Sequence, residues 1–327
     1  MQEIALGTTG RTTTRLGFGC SSVMGVLTRK ESLAMLESAV DAGITHFDVA
    51  PSYGMGQAEN CLGELLARHP GKLTVTTKYG IPPAKNQSVI AIAKGIARPL
   101  IKRIPALKKR LAGVAGNVTR NDQKATFAAA EARASLERSL TELKTSHIDV
   151  WLLHEATAAD LADDGLLRFL EDSVVNGSIG TFGVGSGAEK IPALLDNRPA
   201  FCSVLQYEWS VLDPTIPPGP AFRIHHRALT ENFRSLHAAL LADPATCRRW
   251  SEVTGQDLSQ SEVLANLMLK ASLVANPESI ILFSSKSPAH VRANVALVGD
   301  TSLEDSARRL HQLVQAGREA ILPMAVR

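Results

Sequence analysis

The chain has 327 residues, 45% of them hydrophobic, and a formal net charge of +3, ample apolar material for a real core in one large domain or two ordinary ones. The first twenty residues hold no apolar block behind a basic start, and no run of eighteen apolar residues is free of charge, so neither an export segment nor a membrane-spanning helix is expected. Cys20, Cys61, Cys202 and Cys247 are far apart and form no C-x-x-C pair, which argues against a disulfide framework or a zinc knuckle and for reduced thiols in a cytoplasmic protein.

The opening EIALGTTGRTTTRLG reads as two short strands around a Gly turn, a hairpin able to plug the floor of a barrel. RLGFG predicts a first core strand before a helix over 31–42, and GITHFDV a second before a helix over 58–68. KLTVTTK is the third, followed after a long insert by a helix over 126–143, and HIDVWLLH the fourth, before 161–175. SIGTFGV precedes a short helix over 188–195, and FCSVLQ opens a mostly irregular stretch. AFRIHH precedes 231–241, and SIILFS precedes 288–297. Continuous apolar strands separated by helices indicate an α/β protein with a parallel sheet covered by helices, and eight such units point to a closed (β/α)8 TIM barrel. An open doubly wound sheet would instead carry G-x-G-x-x-G between strand and helix. Gly17-Phe18-Gly19 and Gly183-Val184-Gly185-Ser186-Gly187 both lack the third glycine. The expectation is one barrel domain over 1–327, with residues 84–125 inserted after the third strand on the active-site side.

Barrel active sites form at the C-terminal ends of the strands. The second strand ends in Asp48 and runs into Pro51-Ser52-Tyr53-Gly54; the third ends in Lys78, the fourth in His154 and the sixth in Gln206. Taken singly, these read as a loop cap, surface packing, a solvated cation and a core histidine. Together they make chemical sense. Carbonyl reduction by hydride needs a proton for the developing alkoxide, and a tyrosine holds one at neutral pH. A neighbouring Lys⁺ would stabilise the phenolate and lower the tyrosine pKa, Asp48 would hold the lysine, and a neutral His154 would orient the carbonyl or relay the proton.

GITHFDVAPSYG, VTTKYG, LERSLTELKTSHIDVWLLH, NGSIGTFGVGSG, VLQYEWSVLD and SSKSPAHVRANV together resemble the aldo-keto reductase superfamily over nearly the whole chain outside the insert. The resemblance implies a catalytic tetrad of Asp48, Tyr53, Lys78 and His154, with Tyr53 as general acid in reduction and base in oxidation. It also implies an extended nicotinamide cofactor over the barrel mouth, with no glycine-rich phosphate loop. Its expected contacts are Gly19, Cys20, Asp48, Ser186, Gln206 and His226, then Ser284, Ser285, Lys286, His290, Arg292 and Asn294. Three of these depart from the family pattern: Ser186 stands where Asn is common, His226 opens a loop that often reads Tyr-Ser-Pro-Leu, and His290 stands where Arg is frequent. Ser287 and Pro288 suit a helix start that aims backbone N–H groups at an anion. No carboxylate lies between Phe283 and Val295, and Lys286 and Arg292 would attract a 2′-phosphate, which favours NADP(H) over NAD(H). Met24, Tyr79, Trp209 and the insert are expected to line the substrate pocket.

Residues 84–125 carry ten Lys or Arg against a single acid, Asp122. A partly helical lid with solvated charges is the first reading of this segment. Recruitment of an anionic substrate or cofactor ranks second, peripheral contact with an acidic membrane third. Nucleic acid ranks last, because no aromatic residue interleaves with the charges. Of whole-protein readings, a reductase or dehydrogenase for a small-molecule aldehyde, ketone or sugar leads. A catalytically weak nicotinamide-sensing regulatory subunit on the same barrel is the alternative. A metal-dependent hydrolase using Asp48, His154 and Glu155 would need paired histidines that the chain lacks, so no metal is expected.

Overall fold

The computed structural model describes residues 1–25, 27–82, 125–214 and 219–325, with side chains up to residue 317. The predicted insert 84–125 lies outside the described residues apart from Ala125. Strands β1 (Glu3–Ala5) and β2 (Thr12–Thr14) form an antiparallel hairpin. Eight parallel strands then close a barrel: β3 (Leu16–Gly19), β4 (His46–Asp48), β5 (Thr74–Tyr79), β6 (Ile148–His154), β7 (Ile179–Gly185), β8 (Val204–Glu208), β9 (Phe222–His226) and β10 (Ile280–Phe283), with β10 returning beside β3. The eight strands are those read from the apolar runs.

The helices on the outside are α1 (Arg29–Asp41), α2 (Ala58–Arg68), α3 (Ala129–Glu142), α4 (Asp164–Val175), α5 (Ile191–Asn197), α6 (Thr230–Ala242), α7 (Pro244–Thr254), α8 (Ser261–Ala275), α9 (Pro288–Gly299) and α10 (Glu304–Ala325). Helix starts follow local chemistry. Thr28 and Glu31 form a reciprocal capping box on α1, and Ser287 caps α9 ahead of Pro288, as its sequence predicts. Helices α3 and α4 begin three residues later than the periodicity suggests, at Ala129 and Asp164. Alternation of strand and helix did not mark α7, α8 and α10. The first two share with α6 the connection from β9 to β10, and α10 packs on α8 and α7.

Period-two alternation sorts the strand side chains. Val150, Leu152, Val204, Ile224, Ile280 and Leu282 point into the barrel and meet Leu6 and Ile4 from the hairpin, so the hairpin does close the barrel's N-terminal end. Trp151 and Leu153 point outward into the layer beneath the helices. Polar contacts latch the hairpin in place: Thr13 Oγ1 lies 2.6 Å from Thr74 Oγ1, and Arg11 reaches Asp149 at 2.7 Å.

His46 is fully buried inside the barrel, its two ring nitrogens 3.0 Å and 3.2 Å from the hydroxyls of Thr74 and Thr76. Burial lowers its pKa from 6.5 to about 4. Between those values the unfolded chain binds a proton that the folded one refuses, so stability falls as pH drops through this window, by up to about 1.4 kcal/mol per pH unit. Urea denaturation across that window should show a shallower pH slope for His46→Asn than for the unmodified chain. Equal slopes would mean that His46 is not held neutral.

Candidate active site

Where the strands end, four elements converge. After β4 the chain makes a tight turn, with the Tyr53 N–H donating to the Ala50 carbonyl at 3.0 Å. Gly54 follows at φ +57, and a Cβ there would lie 2.5 Å from the Val23 carbonyl oxygen. No other residue fits that turn, which delivers the Tyr53 ring to the barrel mouth. Gly80, at φ +140 just beyond β5, similarly abuts the His154 carbonyl, where a Cβ would sit at 2.3 Å. Both turns set the height at which Tyr53, Lys78 and His154 enter the site.

Lys78 is 1% exposed and Asp48 3%, and the ammonium donates to Asp48 Oδ1 at 2.6 Å and to the Val49 carbonyl at 3.1 Å. Burial is the largest single influence and lowers the lysine pKa, but the charge of Asp48, the Tyr53 phenolate and the hydrogen bond to Asp48 together outweigh it and hold the pKa above the usual value. Lys78 is therefore a fixed cation. Its Nζ lies 5.2 Å from the centroid of the Tyr53 ring. The second Asp48 oxygen accepts from Gln206 Nε2 at 2.6 Å. A carboxylate can only accept, so the Gln206 NH₂ faces Asp48 and its carbonyl oxygen is left to accept elsewhere.

The Tyr53 pKa differs from expectation. Lys78 exerts the largest single pull and lowers it, but burial and the negative charge of Asp48 raise it, and the net direction is upward. Tyr53 is thus a firmly protonated phenol at neutral pH. His154 is held neutral: burial, then the charges of Lys78 and His226, bring its pKa down to about 3. Its Nδ1 is buried with no hydrogen-bond partner among the described residues.

These residues open onto a cleft of about 530 Å³ across the barrel mouth. Its walls include Gly19, Asp48, Tyr53, His154, Ser186, Gln206, His226, Ser284 and Asn294, so nine of the predicted site residues meet in one cavity. Lys78 lies directly behind it. Ser186 is buried and donates to the Ala156 carbonyl at 3.0 Å, and burial is the main reason that the His226 pKa is lowered. Ser284 Oγ bridges to the Gly19 carbonyl at 2.5 Å, joining the ends of β10 and β3. Other predicted contacts stand apart. The Cys20 side chain is packed in the core, its thiol pKa pushed well up by burial and then by Asp48. Ser285 is buried in a local turn with Ser287, and Lys286, His290 and Arg292 are exposed around the start of α9 without lining the cleft.

Three pocket expectations are corrected. Tyr79 alternates with Lys78 and therefore points outward, stacked on Trp151 at 5.6 Å. Trp209 is buried against His225 and His311. Met24 is not among the cleft's lining residues either. Sequence reasoning missed Glu208 and Arg227 altogether and weighed Glu155 only as a metal ligand; all three line the cleft. The available signal was position: Glu208 is two residues beyond Gln206 on β8, and Glu155 and Arg227 directly follow strand-terminal histidines.

A nicotinamide dinucleotide fits what the cleft offers. An accepting amide oxygen on Gln206 suits a carboxamide NH₂, a neutral imidazole at His226 does not repel a cationic ring, and the first residues of α6, including Thr230, lie farther along the wall. The sequence profile described as the Aldo/keto reductase family matches residues 15–231. The chain belongs to this family. Among curated relatives of this aldo-keto reductase, D-threo-aldose 1-dehydrogenase from a Pseudomonas species is 30% identical over 198 residues, 56% of this chain and 53% of that one. Pyridoxal 4-dehydrogenase from Microbacterium luteolum is 40% identical over 82 residues, 24% of each chain. The matches thus span between a quarter and about half of these relatives. Among solved structures, an aldo-keto reductase from Bacillus halodurans superposes with a TM-score of 0.67 at 18% identity, covering 95% of this chain and 96% of that one. One from Klebsiella pneumoniae, in complex with NADP and acetate, gives 0.63 at 18% identity over 95% and 96%. At that identity the likeness is one of fold.

Proposed function

We propose that this aldo-keto reductase moves a hydride between NADP(H) and the carbonyl or alcohol of a small aldehyde, ketone or sugar, with Tyr53 giving the proton in reduction and taking it in oxidation. The observation that carries this reading is the buried Lys78, fixed by Asp48 at 2.6 Å and set 5.2 Å from the centre of the Tyr53 ring, at the edge of the cleft. A bound reduced nicotinamide would supply the hydride. Tyr53 and the neutral His154 flank the position of the substrate oxygen, His154 to orient it and Tyr53 to protonate it. Lys78 stabilises the phenolate that remains, and Asp48 keeps Lys78 in place. Gln206 does double duty, bracing Asp48 with its NH₂ while its carbonyl oxygen accepts from the carboxamide.

The preference for NADP(H) is supported by the Ser287-capped start of α9, by exposed Lys286 and Arg292 beside it, and by the absence of any Asp or Glu between Phe283 and Val295. A fold neighbour solved with NADP agrees with it. A sugar substrate is supported by the names of two relatives, D-threo-aldose 1-dehydrogenase and 6-dehydroglucose reductase. A panel of aldehydes, ketones and aldoses assayed separately with NADPH and NADH tests both points. At least tenfold higher kcat/KM with NADPH is expected, about the effect of one charge-assisted hydrogen bond. Equal values for the two cofactors would remove the assignment of Lys286 and Arg292 to a 2′-phosphate.

A further inference from the structure

We propose that the Glu155–Lys190 pair, at the ends of β6 and β7, selects substrates with a hydroxyl on the carbon next to the carbonyl, and that Glu155 accepts from that hydroxyl. This inference rests on the reductase reading of the same cleft and names the substrate that the cleft prefers. Alternation along a strand would send the residue after His154 away from the barrel mouth, as it sends Tyr79 away after Lys78. Glu155 does not follow that pattern. Its φ is +59, a left-handed conformation that glutamate seldom adopts, and its side chain lines the cleft together with His154. The Glu155 N–H donates to the Gly185 carbonyl at 2.7 Å, so the pairing of β6 with β7 fixes the backbone at this point.

Half of the carboxylate is already engaged. Lys190, the last residue of the turn Ala188–Lys190 after β7, donates to Oε2 at 2.6 Å, while Oε1 accepts from no described residue. Both side chains are partly exposed, and an ion pair so placed adds little to stability, so folding does not explain it. Lys190 balances the charge of the carboxylate, and the pair therefore suits a neutral hydroxyl better than an ionic group. Ser186 on the same wall spends its hydroxyl on the Ala156 carbonyl, and Tyr53 and Phe283 are the only Phe, Tyr or Trp side chains among the described lining of the cleft. Next to His154 the wall thus offers a carboxylate and no aromatic face. His154 orients the reacting oxygen, and the next residue lies only about 3.8 Å farther along the chain. A substrate group that meets Glu155 while His154 holds the carbonyl sits on the neighbouring carbon. In an aldose or another hydroxyaldehyde that group is a hydroxyl, a donor to the idle oxygen. An alkyl aldehyde strips water from Oε1 and returns no donor.

The test is steady-state reduction by the full chain with NADPH of two three-carbon aldehydes, glyceraldehyde and propanal, for the unmodified protein, Glu155→Ala, Glu155→Gln and Lys190→Met. The readout is the ratio of kcat/KM for glyceraldehyde to that for propanal. Differences in hydration between the two aldehydes cancel when this ratio is compared across proteins. The unmodified chain should favour glyceraldehyde, and Glu155→Ala should lower the ratio about tenfold, the worth of one charge-assisted hydrogen bond at a partly exposed site. Glu155→Gln, which keeps an accepting oxygen without the charge, should fall between them. Lys190→Met leaves the carboxylate without its anchor and should lower the ratio by a smaller factor. A role confined to supporting the loop would instead lower both aldehydes equally and leave the ratio unmoved. An unchanged ratio in Glu155→Ala overturns the inference and leaves the reductase reading intact, as does an unmodified chain that favours propanal. An unchanged ratio in Lys190→Met overturns the part assigned to Lys190. If the unmodified chain reduces no aldehyde, ketone or aldose, the reductase reading itself fails. Should Glu155→Ala fail to fold, the isosteric Glu155→Gln decides.

Discussion

Tyr53→Phe should lower kcat for carbonyl reduction by about 10²- to 10⁴-fold, the usual worth of a positioned acid, with the KM for NADPH essentially unchanged. The substitution removes one hydroxyl. The turn that places the ring depends on the Tyr53 N–H to Ala50 bond and on Gly54, and phenylalanine preserves both. A loss in kcat without a change in cofactor KM is the signature of an interaction made only in the transition state. Because the Tyr53 pKa lies above its ordinary value, the phenol stays protonated across the neutral range and reduction should be flat with pH there. Alcohol oxidation needs the phenolate. Its rate should climb as pH rises into the alkaline range, and an oxidation profile that peaked below neutrality would remove Tyr53 as the base.

Lys78→Met should both abolish detectable turnover and destabilise the fold. Asp48 is 3% exposed, and losing its cation leaves it with Gln206 as its side-chain partner. Breaking a buried ion pair by removing one member typically costs about 3–5 kcal/mol, because the remaining charge is stranded. Asp48→Asn strands the Lys78 ammonium in the same way. The double variant Asp48→Asn/Lys78→Met, which strands neither charge, should be less destabilised than the sum of the single changes in urea denaturation. It should remain inactive, since no cation is left to stabilise a phenolate. Strict additivity would show that the 2.6 Å contact is not an interacting pair.

The barrel was legible because parallel strands buried on both faces must be continuously apolar, as in the run Ile148–Leu153 with only Asp149 among the apolar residues. The candidate site was legible for a related reason. A large polar residue closing such a run, as Asp48, Lys78, His154 and Gln206 do, has no packing function to explain it. Residues whose role depends on the third dimension were harder to read. Tyr79 adjoins Lys78 in sequence yet faces the opposite way, and its neighbour in space, Trp151, is far away along the chain. Helices α7 and α8 lie where a simple β/α repeat would place a single helix. The rise in the Tyr53 pKa was hidden too, because sequence shows that a lysine is near but not how much burial opposes it. Glu208 and Arg227 lie on β8 and just after β9, and only strand pairing brings them to 2.6 Å.

Hydride transfer in this cleft, with Tyr53 managing the accompanying proton, is open to direct test. The most direct measurement is a single-turnover experiment in which excess protein, loaded with NADPH, is mixed with a reactive aldehyde while the near-ultraviolet absorbance of the reduced nicotinamide is followed. The unmodified chain should consume NADPH and yield alcohol in equal amounts, and Tyr53→Phe should bind NADPH normally and do so far more slowly. Tight NADPH binding with no consumption by the unmodified chain, across aldehydes, ketones and aldoses, would contradict the account and leave a nicotinamide-sensing protein on a reductase fold.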